Sequence, residues 1–261
     1  MAKKYFRLMI LHFSLILVVL LPDSIALNND SSLKLYLAFD EENGKIAKDH
    51  SKSRLEGRLS GKAKFVKNGR FGGALSLADS NSLVQLPATD ELNITKSITI
   101  AAWIFPLVNQ KDSNVIGRRT AANVGGYCIQ WSGLGAAAKV ETWIGLPVWQ
   151  GTRNLQKTEP KLEKWHHVVA IYDGNEIKQY VNGKLDAYLK IPDREIASQK
   201  VELHIGKAQT GLPGIVGKID EVAIYDRALT KDEIKSDMQK GVFFSVDPSE
   251  KLATKWATLK R

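Results

Sequence analysis

Residues 165–183, Trp-His-His-Val-Val-Ala-Ile-Tyr-Asp-Gly-Asn-Glu-Ile-Lys-Gln-Tyr-Val-Asn-Gly, constrain the fold more than any other stretch of the chain. β-Branched and aromatic residues fill Val168 to Tyr172 and Ile177 to Val181, and Asp173-Gly174-Asn175 between them tolerates positive φ. The segment therefore predicts two antiparallel strands joined by a tight turn. In the second strand Ile177, Gln179 and Val181 share one face and Lys178 and Tyr180 the other, which assigns the first face to a core. Asn182-Gly183 ends that strand with another turn signal.

Short β-rich runs of the same kind recur along the chain. They are Leu35 to Phe39, Ala63 to Val66, Ala74 to Leu77, Leu83 to Leu86, Ser97 to Phe105 and Asn114 to Arg118. Beyond these come Tyr127 to Trp131, Val140 to Ile144, Val201 to Ile205 and Ile215 to Tyr225. Many short strands without alternating helices predict an all-β chain, an antiparallel sandwich of two sheets. In Ser97 to Phe105 both alternating faces are apolar, so that strand belongs in the middle of a sheet, one face on the core and the other covered or lining a groove. Thr230-Lys231-Asp232-Glu233 is a capping box leading into Ile234 and Met238, and predicts one short C-terminal helix.

Lys3, Lys4 and Arg7 precede an apolar run from Leu8 to Leu21, shorter than the ~20 residues a membrane span needs and followed by Pro22 and Asp23. Ser24-Ile25-Ala26 supplies the small residues of a cleavage site, so residues 1–26 read as a secretory signal peptide. Residues 27–247 then form one domain, with 248–261 a basic tail carrying Trp256. The expected location is outside the cell, or the periplasm in a bacterium, with no membrane span after cleavage. Cys128 is the single cysteine, which excludes an intrachain disulfide. Part of the net charge of +9 lies in the signal and the tail, leaving a mildly basic domain. No compact basic run with interleaved aromatics marks a specific nucleic-acid partner, although the charge favours anionic polysaccharides by long-range attraction.

The Trp-His-His-Val and Tyr-Val-Asn-Gly hairpin resembles one in the concanavalin A-like, laminin-G-like jelly-roll family. Three further stretches occur in that family's order: Leu37-Ala38-Phe39-Asp40-Glu41, Gly69-Arg70-Phe71-Gly72-Gly73-Ala74-Leu75 and Gly217-Lys218-Ile219-Asp220-Glu221-Val222-Ala223-Ile224-Tyr225. The resemblance spans Leu33 to Gly241 and implies a jelly-roll sandwich whose first and last strands are neighbours. It also implies a structural calcium, with Asp220 the first side-chain ligand, Asp40 the second and the backbone near Gly72 a third contributor. Hard oxygen ligands suit Ca²⁺. A turn-capping role for Asp220 is the alternative. His166 and His167 are adjacent on a strand, point to opposite faces and cannot chelate one zinc ion together.

Glycoside hydrolysis needs a pair of carboxylates flanking the scissile bond. Jelly-roll glucanases carry acids on alternate residues of one strand, whereas Val140-Glu141-Thr142-Trp143 here has one acid and Asp220-Glu221 are adjacent. A non-catalytic binding module is therefore expected. Trp131, Trp143 and Trp149 surround the span from Ser132 to Lys164, with Tyr127 nearby and Gln130, Asn154 and Gln156 as hydrogen-bonding groups. Flat aromatic faces suit sugar rings and amides suit their hydroxyls, which makes Tyr127, Trp131, Trp143, Trp149 and Asn154 the candidate ligand site. Trp103 and Trp165 are assigned to the core. The expected partner is a polysaccharide or glycoprotein glycan. A second possibility is an extracellular protein docked through a sheet edge or the C-terminal tail.

Overall fold

The computed structural model describes residues 30–119, 125–134 and 137–242. The expected signal peptide, residues 1–26, and the expected basic tail with Trp256 lie outside the described residues. In chain order the strands are β1 (Leu33–Leu37), β2 (Ile46–Lys48), β3 (Glu56–Ser60), β4 (Ala63–Val66), β5 (Ala74–Leu77), β6 (Leu83–Leu86), β7 (Ile98–Pro106) and β8 (Ser113–Arg118). They continue as β9 (Gly126–Leu134), β10 (Ala137–Gly145), β11 (Trp149–Gly151), β12 (His166–Tyr172), β13 (Glu176–Val181), β14 (Lys184–Lys190), β15 (Leu203–Gly206) and β16 (Gly217–Tyr225), followed by helix α1 (Lys231–Lys240).

The strands form two antiparallel sheets. One runs β14-β13-β12-β7-β16-β5-β4, with β1 also on β16, and the other runs β11-β10-β9-β8-β15-β6-β3-β2. The predicted hairpin is β12–β13: Val168 opposes Val181 and Tyr172 opposes Ile177. Asp173 Oδ1 accepts the backbone N–H of Asn175 and Glu176 at 3.1 and 3.0 Å, and Gly174 has φ of +99°. Asn182 and Gly183 both take positive φ, the conformation a two-residue hairpin turn into β14 requires.

Alternation along the strands decides which residues meet between the sheets. Ile98, Ile100, Ala102 and Ile104 of β7 join Val168, Ala170 and Ile177 from the first sheet and Ile116, Tyr127, Ile129, Trp131 and Val140 from the second in one core. The other face of β7 is covered as well. Ala101 packs with Tyr36, Val169, Tyr225, Leu229 and Ile234, so α1 lies over the outer face of the first sheet. Thr230 caps α1 in the predicted capping box with Glu233.

Gln179, on the core face as its position predicts, is fully buried and ties the sheets together. Its Oε1 accepts the hydroxyls of Thr142 and Thr152 at 3.0 and 2.9 Å, and its Nε2 donates to the Val140 carbonyl and to Asp186 Oδ2 at 2.9 and 2.8 Å. Thr142 and Thr152 belong to the β10–β11 hairpin region, so this network fixes the hairpin that carries Trp143 and Trp149.

Candidate functional site

Two clusters hold most of the residues singled out by sequence. The first lies where β16 changes partner. Gly217 to Ile219 pair with β5, whereas Val222 to Tyr225 pair with β1 on the same side. Asp220 and Glu221 fall in the gap, at a bulge where Glu221 takes φ of +53°. The chain leaving β1 brings Phe39 and Asp40 to this gap, and the turn preceding β5 brings Gly69 to Gly73. Asp220 Oδ2 accepts the N–H of Arg70 at 2.7 Å and of Phe71 at 3.0 Å, its Oδ1 that of Glu221 at 2.8 Å. Asp40 Oδ1 accepts the Gly73 N–H at 2.6 Å. The glycines are required by this closeness: a Cβ at Gly73 would lie 2.5 Å from the Phe39 carbonyl oxygen, and one at Gly72 would strike Asp40 Oδ1.

Asp40, Asp220 and the Gly72 turn are thus together, as the family pattern implies, and Asp220 caps the turn with two backbone amide bonds. Burial pushes the Asp220 carboxyl up to about 8, and the Glu221 charge adds to the rise. Glu221 is itself raised by burial; it accepts the Tyr36 hydroxyl at 2.7 Å and the Val242 N–H at 3.1 Å. Among the described residues no group of three or more His, Cys, Asp or Glu side chains is arranged around one metal position. A cation here would draw on the two aspartates and on backbone carbonyls, an all-oxygen set of the kind that suits Ca²⁺. On the same sheet Trp103 stacks under the Arg70 guanidinium, 4.5 Å from its ring centre, and beside His167 at 5.2 Å. The core assignment of Trp103 and Trp165 is corrected: Trp103 is buried but shares the parity of Ala101 on the outer face of β7, and Trp165 is only half-buried, against Phe105 at 5.4 Å.

The second cluster is on the outer face of the second sheet. Val140, Thr142 and Ile144 of β10 point inward, so Lys139, Glu141 and Trp143 point outward. The hairpin through Leu146, Pro147 and Val148 opposes Gly145 to Trp149 and Trp143 to Gly151. A Cβ at Gly151 would lie 2.5 Å from the indole carbons of Trp143, so only glycine there lets the ring lie across β11. Trp143 and Trp149, both half-buried, border one cavity of about 220 Å³ with Asp112, Arg119, Gln130, Arg153 and Leu212.

Each indole is held by a guanidinium: Arg119 lies 4.6 Å from the Trp149 ring centre and Arg153 lies 5.2 Å from that of Trp143. Arg153 also donates to both oxygens of Glu141 and to Asp112, and these acids raise its affinity for the proton. Trp143 Nε1 donates to Glu141 Oε2 at 3.1 Å. Arg153 further lines an adjoining cleft of about 510 Å³ together with Lys111, Lys139, Asn154 and Gln156. Three of the five expected ligand residues, Trp143, Trp149 and Asn154, therefore share one surface.

Tyr127 and Trp131 do not, and for them the expectation is corrected. Both are fully buried and face the core with Ile129, and Tyr127 donates its hydroxyl to the Leu92 carbonyl at 3.0 Å. Their spacing at alternate positions of one strand is the signal that marks them as core. Arg119, Arg153 and Asp112 escaped sequence reasoning because only the pairing of β8, β9 and β10 brings them together.

The chain belongs to the concanavalin A-like lectin/glucanase superfamily, whose laminin-G-type family model matches residues 78–235. Among curated proteins, none matches it in sequence. Domain 4 of AbnA, a GH43 extracellular arabinanase from Geobacillus stearothermophilus solved in complex with arabinotriose, is similar in structure: 20% identity over 80% of this chain and 98% of that one, TM-score 0.65. The binding domain of botulinum neurotoxin DC, solved in complex with rat synaptotagmin II, shares 17% identity over 82% of this chain and 53% of that one, TM-score 0.60. The same toxin domain in complex with SialylT gives 18% identity, 80% and 52% coverage and TM-score 0.59. This chain spans about half of that toxin domain, and at these identities the likeness is one of fold.

Proposed function

We propose that this protein is an extracellular, non-catalytic binding module that recognises glycan on the outer face of its second sheet. The observation that carries this reading is the pair of half-buried tryptophans, Trp143 and Trp149, bordering one cavity next to a cleft lined by Asn154 and Gln156. Indole rings and amides are the groups that sugars stack on and hydrogen-bond to. The AbnA domain with its arabinotriose supports it by likeness of fold. The two acids nearest the cavity, Asp112 and Glu141, are both engaged by Arg153, which suits them to anchoring a guanidinium rather than to donating a proton. Calcium is proposed as a structural support, held by Asp220, Asp40 and the backbone near Gly72, fixing the turn that joins β1, β5 and β16. Secretion follows from the signal-like residues 1–26; among the described residues no helix is long and apolar enough to cross a membrane.

A second reading, capture of an extracellular protein, is favoured by the edge strand β14, where Leu185 and Tyr188 are 41% and 45% exposed. Exposed apolar residues on an edge strand with no strand on its outer side among the described residues suit strand addition by a partner, and the toxin domain solved with synaptotagmin is a fold neighbour. The two readings separate by glycan-array binding of the protein alongside Trp149→Ala and Leu185→Ser variants. Loss of signal in the first variant alone supports the glycan groove, whereas a blank array with the protein folded moves the weight to protein capture.

A further inference from the structure

We infer that the groove selects an acidic saccharide, one bearing carboxylate or sulfate groups, and that Arg119 is the residue that reads the acid. This rests on the glycan reading above and deepens it. Four cations line the cavity and the adjoining cleft: Arg119, Arg153, Lys111 and Lys139. Arg153 is paired with both Glu141 and Asp112, and Lys139 lies 3.3 Å from Glu159, which sets three carboxylates against the four cations. Arg119 and Lys111 have no carboxylate within ion-pairing distance among the described residues, and the surface keeps a net excess of one positive charge.

The surroundings of Arg119 distinguish it from a solvated surface arginine. One of its terminal nitrogens donates to Cys128 Sγ at 3.3 Å, a weak acceptor, and its Nε is shielded from solvent with no hydrogen-bond partner among the described residues. Its guanidinium carbon lies over the Trp149 ring, 4.6 Å from the ring centre, which holds the group beside the wall where a sugar ring would lie. A planar fork of donors held in place, short of acceptors and beside an aromatic wall, matches a carboxylate or sulfate attached to a sugar ring. Sheet geometry puts it there: Gly117 opposes Cys128, and Cys128 opposes Trp143, so the residue leaving β8 emerges over the outward face of β9 and β10.

The test is titration of the full chain, followed by tryptophan fluorescence and calorimetry, with two matched pairs of probes. Oligogalacturonate is compared with its methyl ester, and dextran sulfate with dextran. The inference expects at least one acidic probe to bind ~10-fold or more tightly than its uncharged counterpart, the range set by a hydrogen bond to a charged group. That preference weakens as salt is raised. Arg119→Gln is expected to bring the acidic probe down to the level of the neutral one, while Arg119→Lys keeps part of the preference. The responsive pair distinguishes carboxylate from sulfate. Equal binding of acidic and neutral probes, or a preference that survives Arg119→Gln, overturns the role of Arg119 and leaves the glycan reading standing. Binding of none of the four probes by the folded protein overturns the acidic-saccharide inference, and a blank glycan array as well would remove the glycan reading beneath it.

Discussion

Replacing Gln179 by leucine tests whether the buried polar network holds the hairpin of Trp143 and Trp149 in place. The substitution keeps the volume and apolar stem but removes four hydrogen bonds at a fully buried site. The hydroxyls of Thr142 and Thr152 can turn to other acceptors, but the Val140 carbonyl and Asp186 Oδ2 lose the Gln179 donor. Each polar group left unsatisfied costs about 1–3 kcal/mol, and the added apolar burial of leucine returns about 1 kcal/mol or less. The net loss is about 1–5 kcal/mol. For a domain of this size each kcal/mol is worth about 2–4 °C in melting temperature, so thermal unfolding followed by circular dichroism should show a drop of roughly 2–20 °C. The environment of Trp143 should change with it, because Thr142 and Thr152 anchor the hairpin on which the indole lies, and tryptophan fluorescence reports this. A variant melting within a degree of the parent, with unchanged fluorescence, would refute the reasoning that this network is what ties the site to the first sheet.

Two other residues give predictions of opposite character. Burial holds His167 down to about 3, with the Arg70 charge adding to the depression, against an ordinary value of 6.5. The folded state therefore binds fewer protons than the unfolded state between those values, and the stability His167 contributes is present above pH 6.5 and lost as pH falls through that window. The loss is about 2 kcal/mol between pH 6.5 and 5. Asp220, raised from 3.8 to about 8, acts with the opposite sign over the window between those two values, so the effect is read as a difference. Urea unfolding of the protein and of His167→Phe at pH 7 and pH 5 should show a gap that shifts by this amount in the variant's favour at the lower pH; a constant gap would contradict the burial argument. For the calcium proposal, saturating Ca²⁺ should raise the melting temperature of the protein, by about 2.7 kcal/mol of stability at a hundredfold excess over the dissociation constant. Asp220→Asn should abolish the rise, and an equal response from the variant would remove Asp220 from the ligand set.

Much of the fold was legible because its strands alternate cleanly. The β12–β13 hairpin, the double-faced apolar strand β7 and the Thr230 capping box all formed where local pattern put them. β2, β3, β11 and β14 escaped the reading for reasons that differ. In β3, Glu56–Ser60, glycine is demanded by packing against its own low strand propensity: a Cβ at Gly57 would lie 2.6 Å from Val84 Cγ1. β14 is an edge strand rich in lysine and exposed side chains, whose hydrophobic signal is weak because only one side is paired.

The candidate site was half legible. Gly145 to Val148 reads as a turn, and a turn between two tryptophans puts them at a rim. Tyr127 and Trp131 show the limit of composition as a guide, since an aromatic in a strand is assigned by its parity with its neighbours, and both share the parity of core residue Ile129. Arg119, Asp112 and Arg153 carry no local signature. They meet through strand register and an ion pair that spans 41 residues of chain, information that emerges only once the sheet is assembled. The convergence of Asp40 with Asp220 has the same origin: β16 exchanges β5 for β1 at its bulge, and the family pattern records that exchange without explaining it.

The central claim is that Trp149 and its neighbours form a glycan-binding surface, and a glycan array probed with the purified protein beside Trp149→Ala tests it most directly. The account predicts saturable binding to one class of saccharide that falls at least ~10-fold in the variant, in line with the loss of an aromatic anchor, while both proteins give the same circular dichroism. Saturable binding that the variant retains undiminished, or an array blank for the folded parent protein, would contradict it.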